Sequence, residues 1–363
     1  MTYLTRRGAR AGLLASLAAL ALLALASPAS ATFAGKPGRI VFWDFANGQI
    51  SSVNPNGTGL RQLTHTDPDH AAIRPSWSRD GRRIVFSMVR NGTPDDHARI
   101  WIMRADGSGA HLLAPDRPGF RDYIPKFTRD GRHIVFSHCL PDNGVCAIWR
   151  MRSDGTHMQP LTHFKQGLHE AVDFDASVAA DGRIAFGRFF GGGVVSRIWV
   201  MRGDGSHARP VTPSFLEGFA PDFSPNDRTI AFSTDSNRFG SELWAVSPGG
   251  AALRQVTHTR FPQNDATPSY SPAGNRIAFV TDRLHPDLCC LDVATSRPDG
   301  SDRHIFRLAG VVGALDPSWG TAPRGGAAAS LTAAPATATP PRALRLPGLC
   351  AADARLRDLR ICH

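Results

Sequence analysis

The 363-residue chain carries a formal net charge of +10, from 41 Lys and Arg against 31 Asp and Glu. The excess sits at the two ends: over residues 32–320 the balance is 32 to 29, with no basic run. A nucleic-acid surface needs clustered cations to displace counterions, so that class of partner is excluded.

Residues 1–31 read as a signal peptide. Arg6, Arg7 and Arg10 form its positive region, Ala11 to Ala26 its apolar run, and Ala29-Ser30-Ala31 the small-residue cleavage site. Thr5-Arg6-Arg7 has a twin-arginine character, but Gly8-Ala9 follow it, so the export route stays open. No later stretch is apolar enough to span a bilayer. The chain is expected outside the cytoplasm, secreted or in the periplasm or cell envelope.

From residue 38 onward the chain repeats. The triplet Ile-x-Phe occurs at Ile40-Phe42, Ile84-Phe86, Ile134-Phe136, Ile184-Phe186, Ile230-Phe232 and Ile277-Phe279, at intervals of 44 to 50 residues. Alternating β-branched and aromatic residues predict a buried strand. Five triplets follow a phrase ending in a tight turn, as in SWSRDGR and KFTRDGR. After each comes a variable loop, then a strand such as IWIM (100–103), IWRM (148–151) or IWVM (198–201). A second turn of the Asp-Gly-Ser kind, as at Asp106, Asp154, Asp204 and Asp299, leads to a short last strand such as RQLT (61–64) or RPVT (209–212). Four strands joined by hairpin turns make one propeller blade.

The first unit lacks its opening strand, and Leu315-Asp316-Pro317-Ser318-Trp319-Gly320 supplies that phrase without its continuation. Five complete units, three N-terminal strands and one C-terminal strand predict an all-β, six-bladed β-propeller of four-stranded antiparallel blades over residues 32–320. The C-terminal strand completes the N-terminal blade and removes a sheet edge. PSWSRDGRRIVFS and RIWIMRADGSGAHLL resemble the WD-like repeat of TolB-type propellers and their exported relatives. The resemblance covers residues 36–320 and implies this fold, but not a function. Val178 stands where an aromatic is usual, and CCLDVATS replaces the IWVM strand in blade six, which puts that hairpin's geometry in question.

Residues 321–348, rich in Ala, Pro and Thr, read as a linker, and 349–363 as a short basic, cysteine-containing tail. Cys139 and Cys146 flank a short loop between two strands and are the expected disulfide. Adjacent Cys289 and Cys290 are expected to bond elsewhere than to each other.

Function is expected on the face of variable loops, where the joins between blades also emerge. Trp43, Phe45, Phe189, Phe190 and Phe239 lie in or beside those loops, as do Phe164, Phe215 and Phe261, and exposed aromatics suit peptide or sugar contacts. Asp122, Asp173 and Asp265 each precede the repeat position of Pro125, Ala176 and Pro268 by three residues. Placed at the channel mouth, these carboxylates would bind a cationic group, or calcium or magnesium through oxygen ligands; otherwise each fixes its own blade by hydrogen bonds. HTDPDH (65–70) packs two histidines and two aspartates, but His163 and His258 recur at the place of His65, which makes it a repeat feature. A GxSxG hydrolase motif, a sialidase Asp-box and a phosphate loop are absent from the sequence.

The reading is an exported, monomeric, non-catalytic binding or scaffold module without a cofactor, recognising a protein or cell-envelope polymer. The alternative is an envelope carbohydrate- or peptide-cleaving hydrolase or lyase acting at the channel mouth.

Overall fold

The computed structural model describes residues 36–90, 98–115, 117, 119–140, 145–164, 171–190, 195–234, 240–260, 262–285 and 290–323. The expected signal peptide, the expected linker beyond residue 323 and the expected tail lie outside them, as do Phe239, Phe261 and Cys289.

All six Ile-x-Phe triplets form second strands of four-stranded antiparallel sheets, with Ile and Phe at 1% exposure or less. The residue between them is also fully buried, because each blade is pressed between two neighbours. Each buried ring contributes about 2–3 kcal/mol of transfer free energy. The strand order gives six blades. Blade 1 is β24 (Ala314–Thr321), β1 (Pro37–Asp44), β2 (Gln49–Val53) and β3 (Arg61–Gln62). The other inner strands are β4 (His70–Trp77), β8 (Arg121–Phe127), β12 (Ala171–Val178), β16 (Phe219–Phe223) and β20 (Asp265–Tyr270).

Closure is as the repeat requires. β24 pairs with β1 through Ile40↔Trp319, Val41↔Ser318 and Trp43↔Leu315. Blade 6 is regular despite its aberrant sequence: β21 (Ile277–Thr281) and β22 (Asp292–Ser296) pair without a register shift. The predicted disulfide is present, and Cys139 and Cys146 face each other across β9 (His133–Cys139) and β10 (Cys146–Arg152). Cys290 is also disulfide-bonded.

The Asp-Gly-Ser turns lock the blades laterally. Asp154 Oδ1 accepts hydrogen bonds from the amide of Thr156 at 2.9 Å and from its hydroxyl at 2.6 Å. The glycine between them has φ 85° and lies flat on the preceding blade, so a Cβ there would stand 1.9 Å from the Leu113 carbonyl oxygen. Gly155→Ala combines a left-handed backbone penalty with a clash against backbone. It should cost at least about 2 kcal/mol, measured by chemical denaturation.

Candidate functional site

Each inner strand carries a β-bulge, and geometry at the bulge decides what the central channel sees. Arg74, Ile124, Asp175, Ala220, Thr267 and Asp316 occupy equivalent positions with φ between 47° and 57°. Such a conformation costs a non-glycine residue about 1–2 kcal/mol and breaks the alternation of the strand. All six line a small channel cavity. Two residues on, Ser76, Lys126, Ser177, Asp222, Ser269 and Ser318 form a second tier, lining a cavity of about 130 Å³ nearer the face of conserved turns.

The upper tier is crossed by an ion triad. The Arg74 guanidinium of blade 2 lies 3.5 Å from Asp316 of blade 1 and 3.8 Å from Asp175 of blade 4, with the Phe174 ring 5.9 Å from its carbon. The lower tier ties blade to blade. Ser177 Oγ accepts from the Phe223 amide, Asp222 from that of Tyr270, Ser269 from that of Trp319 and Ser318 from that of Trp77. Lys126, which has no acceptor, stands in this position in blade 3. Burial pushes the Asp222 carboxyl above the ordinary carboxylate range, against the Tyr270 amide and the nearby charges of Lys126 and Arg129. Below it, Arg129 of blade 3 donates to the carbonyls of Pro225 and Ser224 in blade 5, narrowing the turn-face mouth.

The three aspartates expected at the channel mouth do not line either channel cavity. The bulge lies between them and the channel-facing residues, and each is buried against a histidine or arginine of its own blade. Asp122 accepts from His138 Nδ1 at 2.6 Å; Asp173 holds Arg188 through two bonds of 2.5 and 2.7 Å; Asp265 holds Arg283 at 3.1 and 2.9 Å. Among the described residues, no group of three or more His, Cys, Asp or Glu is placed to hold a metal ion. In HTDPDH, His70 Nδ1 bonds Asp67 at 2.7 Å, and His65 Nδ1 lies 3.1 Å from Gln62 Nε2.

The aromatics also divide. Trp43 is fully buried, because β1 is flanked by two strands and Phe45 covers the ring edge-on at 5.6 Å. Phe45 and Phe189 are half-buried against the same core cluster, and Phe190 lies 6.3 Å from Trp199. Phe239 lies outside the described residues. Phe215, on the join between blades 4 and 5, is 84% exposed. Three of the five exposed large hydrophobics among the described residues, Val195, Phe215 and Val312, are on the loop face.

Asp44 was not legible as special in the sequence. It ends β1 at 2% exposure, accepts the Ala46 amide, and its carboxyl is raised to about 6, chiefly by burial. Because the folded value lies above the unfolded one, its stabilising contribution is complete below about pH 4 and is lost as pH rises through 6. Asp44→Asn should therefore gain on wild type by up to about 3 kcal/mol between pH 4 and 7.5, read as the difference in denaturation free energies.

Six four-stranded blades around a laced channel define a six-bladed β-propeller. The chain is similar to TolB from Acinetobacter baumannii, 16% identical with a TM-score of 0.60 over 87% of this chain and 74% of that one. Putative TolB from Agrobacterium tumefaciens is 18% identical, with a TM-score of 0.55 over 75% and 88%. Kuenenia stuttgartiensis hydrazine synthase is 17% identical, with a TM-score of 0.62 over 80% of this chain and 47% of that one. No protein-family model matches the chain, and neither does any curated protein sequence. Identities this low establish the fold. Among the described residues, no helix is long and apolar enough to cross a membrane.

Proposed function

We propose that the protein is an exported, non-catalytic binding module that engages a protein or a cell-envelope polymer through the loop face of the ring. One contrast carries this reading. Asp122, Asp173 and Asp265, the aspartates expected at the channel mouth, are each held by a histidine or arginine of their own blade, while Phe215 stands 84% exposed on a blade join. Buried carboxylates bonded within their own blade serve the scaffold; an exposed aromatic on a rigid ring serves as an anchor for a partner. The ring closes on itself and leaves no inner edge to pair with another copy, which supports action as a monomer.

Capture from the native extracellular fraction with the mature chain tests the reading. Phe215→Ala should weaken capture at least about tenfold with thermal stability unchanged, since its ring buries little. Asp204→Ala, on the opposite face, should leave capture intact. Equal capture by the Phe215 variant would remove the loop-face assignment, and turnover of an envelope polymer by the purified chain would replace it with the hydrolase or lyase alternative.

A further inference from the structure

Four blades carry a tryptophan at the same point of the third strand: Trp101, Trp149, Trp199 and Trp244. Its flank toward the preceding blade forms a slot, and in two blades a planar side chain of the protein fills that slot. In blade 4, the Arg188 guanidinium stacks on Trp199, 4.5 Å from the ring centre, and Asp173 directly opposite neutralises it. In blade 3, the His138 imidazole lies 4.4 Å from Trp149, with Phe120 stacked on it at 4.5 Å and Asp122 holding Nδ1.

Blade 2 departs from this pattern at every filling position. Met88 stands where His138 and Arg188 stand, and Ala72, its partner in register, where Asp122 and Asp173 stand. His70 occupies the place of Phe120 but turns to Asp67, at 2.7 Å. Among the described residues no ring or guanidinium stacks on Trp101, and a cavity of about 400 Å³ remains over Trp101 and Met88. Its rim is polar, with His65, Thr66, Asp67 and His70.

We propose that this slot, at the seam of blades 1 and 2, binds an arginine side chain of a partner polypeptide. The molecule contains the template, since blade 4 places a guanidinium on the equivalent tryptophan. Trp101 offers the face for cation–π stacking, and Met88 a polarisable floor. The neutralising carboxylate, absent at Ala72, comes from Asp67 at the rim, 62% exposed and able to meet an incoming charge. A guanidinium suits the slot better than an ammonium, because it is planar, stacks and is weakly hydrated. The inference shares with the loop-face reading only the premise of a polypeptide partner, and the two can fail separately.

The test titrates the full mature chain with Nα-acetyl-arginine amide and follows the Trp101 indole N–H resonance, assigned by its loss in Trp101→Phe. A shift saturating at roughly millimolar concentration is expected, with Asp67→Asn weakening it about fivefold. The lysine amide should produce no comparable shift. Ala72→Asp/Met88→Arg, which rebuilds the blade 4 arrangement, should abolish probe binding; should that variant not fold, Asp67→Asn and the lysine control decide. The absence of a shift, or an equal response to lysine amide or to Nα-acetyl-tryptophan amide, overturns the proposal. If the probe binds only to a chain ending at Pro323, the occupant is the chain's own arginine-containing C-terminal segment, and the partner assignment is overturned.

Discussion

A chain ending at Gly313 should fail to form a monomeric propeller. It lacks β24, whose loss strips blade 1 of its inner strand and exposes the backbone groups of β1 from Ile40 to Asp44 along the channel. Leu315 and Trp319, at 2% and 7% exposure, leave two core clusters, and the Ser318 link to the Trp77 amide is broken. The removed side chains alone represent several kcal/mol of burial, comparable with the roughly 5–15 kcal/mol stability of a domain. A bare inner edge is also a template for pairing with other chains. Light scattering should show association, and near-UV circular dichroism the loss of fixed aromatic packing. A chain ending at Pro323 retains all 24 strands of the described residues and should match the full chain. A monomer ending at Gly313 with an unchanged unfolding midpoint would refute the closure mechanism.

Arg74→Ala should cost about 3–5 kcal/mol, because it leaves Asp175 and Asp316 in the channel without their cation. Arg74 is only 5% exposed, so water cannot readily replace it. Converting the whole triad, Arg74→Met with Asp175→Asn and Asp316→Asn, should recover most of the loss, since no unpaired charge then remains buried. Urea denaturation of the two variants checks this. A single variant within about 1 kcal/mol of wild type would mean that the triad is solvated and contributes little.

Much of the scaffold was legible because its signals are local. Ile-x-Phe alternation marks a strand buried on both faces, and Asp-Gly turns mark the hairpins. The lone LDPSWG phrase marks the strand missing from blade 1, and Cys139 and Cys146 sit close enough along the chain to meet across one hairpin. The channel was not legible, because it depends on a conformation that alternation does not encode. Counting back from the repeat proline placed Asp122, Asp173 and Asp265 at the mouth. The left-handed residue just before that proline instead turns Arg74, Asp175 and Asp316 inward and leaves the predicted aspartates against their own blades. Arg74 and Asp316 are 242 residues apart, and no local pattern couples them. Trp43 resembled a loop-face aromatic in sequence, yet strands from opposite ends of the chain bury it. Closing the ring decided these contacts, because only then do side chains from blades 1, 2 and 4 share one channel.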